Sequence, residues 1–344
     1  MSTATPAVGP SAASPTGRAG SAGSAGRTDT TGPDAPTGPS SSPASGTARA
    51  RRRRPLSPGR IIAWIVMIVI LLVTLFPFYW MLRTALSSNT ALATDPTSLL
   101  PVDFSLGGFE RVFGLQDVET AVSQGGSGAS INFWRYLLNS VIVATVITVV
   151  QTFSCAMAAY AFSRLRWRGR ETVFLIFLGA MMIPQIFTLL PNFILIKNLH
   201  LVDTLVGIML PTLFISPFAI FFLRQFFNNI SREVEEAALI DGASKPRVFF
   251  TLILPISSAP LATLALLTYM TAWNEYFWSL MVSYTDSSRV LTVALGVFRA
   301  QSPQTGTDWA GLMAATLVAA APMLILFVLF AKRIVNSIGF SGIK

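Results

Sequence analysis

Charge, cysteine and histidine are scarce in this sequence. Of 344 residues only 12% are charged, one is Cys and one is His. That single pair, Cys155 and His200, excludes disulfide frameworks and Cys-rich zinc sites and leaves no other Cys/His nucleophile and base. A phosphate-cradling loop is missing as well: Gly-Lys occurs nowhere, so no Gly-rich loop ends in Gly-Lys-Ser or Gly-Lys-Thr. Since no loop is long enough to hold a nucleotide-binding domain, any ATP that drives this protein must be hydrolysed by a partner.

What the chain has instead is apolar length. It is 52% hydrophobic with a mean hydropathy of +0.58, a composition that belongs in a lipid bilayer and not in water. Residues 61–82 carry no charge, and 22 residues at ~1.5 Å each cross the ~30 Å hydrocarbon layer. Five further stretches, 137–162, 172–196, 204–223, 256–282 and 310–331, predict an all-α integral membrane protein of six transmembrane helices. Helices are expected because backbone groups in lipid must be satisfied within the segment, and runs this long do not suit barrel strands. The membrane-spanning body is thus residues 60–344.

Residues 1–59 hold nine Pro, nine Gly and much Ser, Thr and Ala, with Met1, Val8 and Leu56 as the larger apolar side chains. Such a segment buries too little to offset its ordering entropy and reads as a disordered tail. It ends in Arg51-Arg52-Arg53-Arg54 and Arg60, directly before the first span, where a basic run anchors topology on the cytoplasmic leaflet. With both termini cytoplasmic, nineteen of the 25 Lys and Arg fall inside; Arg83, Arg111, Arg135, Lys197, Arg289 and Arg299 fall outside. The basic excess therefore orients the chain in a cell membrane, and nucleic acid is not an expected partner.

Within the spans the one obvious carboxylate is Glu275, in Trp273-Asn274-Glu275-Tyr276-Phe277-Trp278. A charge inside the bilayer costs ~3 kcal/mol on insertion scales and marks a candidate transport path. The other reading places Glu275 shallow, within an aromatic interfacial belt. Pro77, Pro184, Pro191, Pro211, Pro217, Pro260 and Pro322 lie in the spans as packing kinks or hinges.

The loop 224–255, between the fourth and fifth stretches, is the most informative. Ser231 caps a short helix with Glu233 and Glu235 in its first turn, Gly242 permits a sharp stop, and Ser244 and Pro246 start a second helix. Pro255 closes the segment. Val234, Ala237, Ala238 and Ile240 suit either a groove on a partner or the lipid headgroups.

Glu236-Ala237-Ala238, then Gly242, Leu252 and Leu254-Pro255, resembles the EAA loop of membrane subunits of binding-protein-dependent ABC importers, with Leu252 where Ile is commoner. Phe133-Trp134-Arg135-Tyr136-Leu137-Leu138-Asn139-Ser140, Trp273-Asn274-Glu275 and Asp308-Trp309-Ala310-Gly311-Leu312-Met313-Ala314-Ala315 are similar to the carbohydrate-uptake, maltose-type branch. The resemblance covers about residues 60–344. It implies half of a path for a sugar or oligosaccharide, a second permease subunit, a cytoplasmic ATPase dimer and an extracytoplasmic solute-binding protein. ATP and magnesium would sit on the ATPase; this chain would bind no cofactor or metal and catalyse nothing itself. Glu236 would make a polar docking contact, Ala237 and Ala238 would allow close packing, and Gly242 would make the turn. Tyr269, Trp273, Asn274 and Glu275 are the candidate substrate path. A non-sugar cargo on the same architecture is one competing reading. An ATP-independent transporter is another, and calls for more ionisable groups in the spans.

Overall fold

The structure is a computed structural model and describes residues 58–126, 132–300 and 307–339. The tail read as disordered, up to residue 57, and the ending 340–344 lie outside the described residues. Among the described residues every regular element is helical, apart from one isolated antiparallel bridge between Ser87 and Phe104.

Helix α1 (Pro58–Ala85) carries the first expected span unbroken, with Pro77 inside it. Its side chains from Ile61 to Phe78 point away from this chain's core, a surface suited to hydrocarbon or another subunit. Short helices α2 (Asn89–Thr94), α3 (Gly107–Val112) and α4 (Val118–Ser123) follow.

Helix α5 (Phe133–Arg164) is the spine. Its 32 residues rise about 48 Å. Asn139, Val143, Ile147, Gln151, Cys155, Ala159 and Ser163 are all buried and recur every fourth residue, so one face of the helix forms a continuous seam. Small side chains on and beside that seam, Ala144, Ala156 and Ala159, let neighbouring backbones approach. In a bilayer such close packing and interhelical hydrogen bonds hold helices together, because hydrocarbon supplies no hydrophobic drive.

Three of the expected spans are broken. The stretch 172–196 divides into α6 (Arg170–Ala180) and α7 (Gln185–Asn198), bent by 99°. Pro184 is the cause: it has no N–H and drives the residue before it out of the helical region. The stretch 204–223 becomes α8 (Leu205–Met209), an irregular segment 210–216 containing Pro211, and α9 (Pro217–Asn228), which Ser216 caps and Pro217 starts. The loop that follows holds α10 (Arg232–Ile240). Helix α11 (Lys245–Val248) then runs through a π-turn at Phe249–Ile253 into α12 (Leu254–Ile256), and the chain turns by 79° at Ser257 into α13 (Ser258–Trp273). The expected stop at Pro255 thus falls two residues later, at Ser257, and Pro255 itself lies in the helical run directly after the π-turn. After Asn274, Glu275 and Tyr276 the fifth stretch resumes as α14 (Phe277–Val282). Helices α15 (Leu291–Ala300) and α16 (Trp309–Gly339) complete the chain, with Pro322 accommodated in α16. Among the described residues three helices are long and apolar enough to cross a membrane unbroken, α1, α5 and the part of α16 up to residue 330, and the two bent pairs bring the number to five.

Helix α5 packs on α13 and α9, and α16 packs on α1, α13 and α3. Three buried clusters result. One lies around Tyr160, Phe227 and Phe249 at the C-terminal end of α5, a second around Phe133, Trp273 and Ala314, and a third around Ile147, Ile208 and Trp278.

Candidate functional site

The loop expected to couple this chain to a partner forms around α10. Ser231 Oγ accepts the N–H of Glu233 at 3.3 Å, and Glu233 and Glu235 face the positive end of the helix dipole. At the other end Gly242 has φ +83°, Gly242 N–H donates to Leu239 O at 3.1 Å, and Ala243 N–H donates to Ala238 O at 3.0 Å. Those two bonds close a Schellman motif, which needs a left-handed residue where Gly242 stands. No residue of α10 is buried, and Ile240 is 86% exposed.

The expected docking residues divide by face. Glu236, Ala237 and Gly242 are exposed, as is Pro255. Ala238 instead turns inward and, with Leu252 and Leu254, packs on the cluster around Phe227 and Phe249. A helix that must be seated on its own protein cannot present both alanines outward.

Sequence reasoning missed the side chains that seat it. Glu235 Oε2 lies 3.6 Å from Arg164 Nη1, and Tyr160 Oη donates to Glu235 Oε1 at 3.2 Å. Arg164 Nη2 also donates to the carbonyls of Phe227 and Ile230. The signal was available, because Glu235 and Ala238 are three residues apart and share a helical face.

The second candidate region is a cleft of about 500 Å³ bounded by α5, α7, the irregular segment 210–216, α13 and the turn into α14. Gln151, Asn192, Thr212, Thr268, Thr271 and Glu275 give it polar groups among apolar walls. Of the four residues expected along a substrate path, Glu275 alone lines this cleft. Its Oε1 accepts the N–H of Trp278 at 2.8 Å, so it also caps α14 where the helix restarts. Trp273 is buried in the second cluster with Tyr269 stacked on it, ring centroids 5.9 Å apart. Asn274 is exposed and donates to Met270 O at 2.8 Å. The sequence placed the four together because they are neighbours in the chain; Tyr269 and Trp273 share one face of α13, whereas Asn274 and Glu275 lie past its end.

Helix α5 also holds the wall of the cleft. Gln151 Nε2 donates to Thr212 O, and Cys155 Sγ accepts the N–H of Ser216 at 3.3 Å and lies 3.8 Å from the carbonyls of Phe214 and Ser216. Irregular backbone at membrane depth is tolerable where protein satisfies it or it lines a cavity, and the segment meets both conditions.

The opposite end of α5 holds the loop 283–290. Asn139 Nδ2 donates to Ser287 O and Arg289 O at 3.1 and 2.9 Å, Ser140 Oγ accepts from Leu291 N–H at 2.8 Å, and Tyr136 Oη donates to Asp286 at 2.7 Å. Asp203, in the turn before α8, accepts from Tyr284 N–H, Thr285 N–H and Oγ1, and Ser288 Oγ. Partial burial alone would raise its pKa, but these four donors outweigh it and hold the carboxyl down at about 2. Arg111 and the buried Asp308 form a two-pronged ion pair at 2.8 and 3.0 Å, tying α3 to the start of α16. Gly108 lets that contact form, since a Cβ there would meet Ala310 O at 2.8 Å.

A family model described as binding-protein-dependent transport system inner membrane component matches residues 152–339, more than half of the chain, from the middle of α5 to the end of α16. The chain belongs to this family. The trehalose/maltose transport system permease protein MalG of Thermococcus litoralis is 30% identical over 286 residues, covering 83% of this chain and 97% of that protein. The arabinooligosaccharides transport system permease protein AraQ of Halalkalibacterium halodurans is 28% identical over 297 residues, covering 85% and 99%. A chain from the crystal structure of a bacterial ABC transporter involved in the import of the acidic polysaccharide alginate has the same fold. Its TM-score is 0.67 at 24% identity, over 80% of this chain and 98% of that one. The membership expected from the spacing around Glu236 is therefore established, and this inner-membrane component carries both the loop around α10 and most of the cleft within the matched region.

Proposed function

We propose that this chain is one of two permease subunits of an ATP-driven importer and forms half of the path for a sugar or oligosaccharide. The observation that carries the reading is α10, a capped helix standing clear of its own core with Glu236, Ala237 and Ile240 uncovered. An apolar tip left open on a rigid, capped helix suits insertion into a groove on another protein. In this reading six spans cross the membrane with both ends cytoplasmic, the broken stretch 205–228 counting as the fourth. The exposed face of α10 enters a cleft on a cytoplasmic ATPase dimer, which holds ATP and magnesium, so this chain needs no cofactor. A solute-binding protein lands on the opposite face, near the short helices α2 to α4 and the loop 283–290.

Transport follows by alternating access: ATP closes the ATPase dimer, α10 moves with it, and the two permease subunits rock about the path. The saccharide assignment is supported by the maltose-type and arabinooligosaccharide relatives. The cleft fits it, since its amides and hydroxyls suit a neutral polyol and Glu275, its one carboxylate, is occupied in capping α14. The test is uptake by vesicles carrying the purified assembly, with the binding protein supplied outside and a panel of saccharides offered. ATP-dependent uptake of at least one sugar is expected, together with loss of ATPase co-purification in Glu236→Lys. Full uptake with no ATPase present would refute the proposal.

A further inference from the structure

If α10 is driven by a partner, its motion has to reach the cleft, and few contacts join that helix to the rest of the chain. It buries no residue completely, and its apolar seat is made by the partly covered Ala238. The polar contacts are more specific. Arg164 and Tyr160 stand one turn apart on α5 and hold the loop at three places. Arg164 Nη2 takes the carbonyls of Phe227 and Ile230 just before α10, and Arg164 Nη1 and Tyr160 Oη meet the two oxygens of Glu235 within it. Tyr160 Oη also lies 3.5 Å from Lys245 O just after it. The Arg164 side chain is 3% exposed and that of Glu235 12%, so water screens the contact little. Arg164 Nε is buried and makes no hydrogen bond, so the guanidinium is held through Nη1 and Nη2 alone.

The same helix grips the cleft wall through Gln151 and Cys155. From Arg164 to Gln151 is 13 positions on one uninterrupted helix without Pro or Gly, roughly 20 Å of stiff rod. We infer that Arg164, with Glu235 and Tyr160, is a positioning clasp that makes α5 the lever between α10 and the irregular segment 210–216. The inference rests on the docking role proposed for α10. It adds that the motion passes through this clasp and along α5, and that the chain connections on either side of α10 do not carry it alone.

The experiment uses the complete assembly in vesicles and compares Arg164→Gln, Glu235→Gln and the double variant with the unaltered protein. ATP hydrolysis, sugar uptake, ATPase co-purification and melting temperature are all measured. Each single variant is expected to raise the ATP consumed per sugar on the order of fivefold, the lower end of ordinary coupling between sites, with ATPase recovery unchanged even where loss of the buried charge pair lowers the melting temperature. The double variant should be no worse than Arg164→Gln, because both remove one contact. An unchanged ratio in Arg164→Gln overturns the clasp. So does a fall in uptake that merely follows lost ATPase recovery, which would make Arg164 a support for the fold of the loop. Should Arg164→Gln fail to accumulate, Glu235→Gln decides, since its amide still accepts from Tyr160. Glu236→Lys run in parallel separates the two ideas. Lost ATPase recovery there beside normal coupling in Arg164→Gln sinks the clasp alone, whereas retained recovery in Glu236→Lys counts against the docking contact.

Discussion

Gly242 permits a test of how far the end of α10 depends on one backbone angle. Its φ of +83° lies where an L-residue pays roughly 1–2 kcal/mol, and a β-branched residue more. No atom lies within 4 Å of the position a Cβ would take, so a side chain fits and the penalty is purely conformational. Gly242→Val must either accept that strain or abandon the left-handed turn and with it the bonds to Leu239 O and Ala238 O, each worth about 1 kcal/mol net. Either route costs about 2 kcal/mol, which is roughly thirtyfold in the population of the closed turn. Asn tolerates the left-handed region, so Gly242→Asn should lose only a small part of this. Hydrogen exchange reads the effect directly: the amides of Gly242 and Ala243 should open about thirtyfold more often in the valine variant, and within about threefold of normal in the asparagine variant. In vesicles the valine variant should hydrolyse ATP with reduced uptake, and the asparagine variant should transport. Unchanged exchange in Gly242→Val would refute the argument from φ. Equal loss of transport in both variants would show that the partner excludes any side chain there, and that the angle is not what matters.

The ion pair between Arg111 and Asp308 offers a stability test. Asp308→Ala leaves Arg111 nearly buried without its countercharge and should cost about 3–5 kcal/mol, whereas Arg111→Met with Asp308→Ala should recover much of that. A thiol-reactive dye that reports exposure of Cys155, the sole and buried cysteine, would give the melting curves. Asp203 gives a pH test. Its carboxyl is held at about 2 in the folded chain against an ordinary 3.8, so its stabilising contribution is complete above about pH 4 and lost as pH falls towards 2. Melting temperature between pH 5 and 2.5 should fall less steeply in Asp203→Asn than in the unaltered protein, and equal slopes would count against the assignment. Deleting residues 2–49 should leave vesicle uptake within about twofold, the spread of an unperturbed surface change; a larger loss would give the tail a part in transport.

Much of this was legible before any coordinates. Membership of a transport family, helical spans and the capped helix with its turn at Gly242 follow from one-dimensional signals: apolar run length, cap residues and the spacing from Glu236 to Pro255. Those signals are local, set by backbone valence and by the hydrocarbon thickness, so neighbours in the chain suffice to express them. Proline was visible too, yet its consequences differed from site to site. Pro77, Pro191 and Pro322 ride inside helices, while Pro184 ends one and Pro211 and Pro217 accompany another break.

That difference belongs to the tertiary structure. A broken span survives only where another helix takes up the freed backbone groups, and whether Gln151 and Cys155 stand opposite residues 212–216 depends on how α5 packs, a relation between positions about sixty residues apart. Facing was decided in the same way. Ala237 and Ala238 are interchangeable as composition, but about 100° of helical rotation exposes one and seats the other. The end of α13 at Trp273 likewise left that ring in the core and put Glu275, two residues on, in the cleft. The order of residues thus determined that this chain belongs to a membrane transport family and carries an exposed, capped helix. Only the packing decided which side chains hold that helix and which line the cleft, because those contacts join segments the chain keeps far apart.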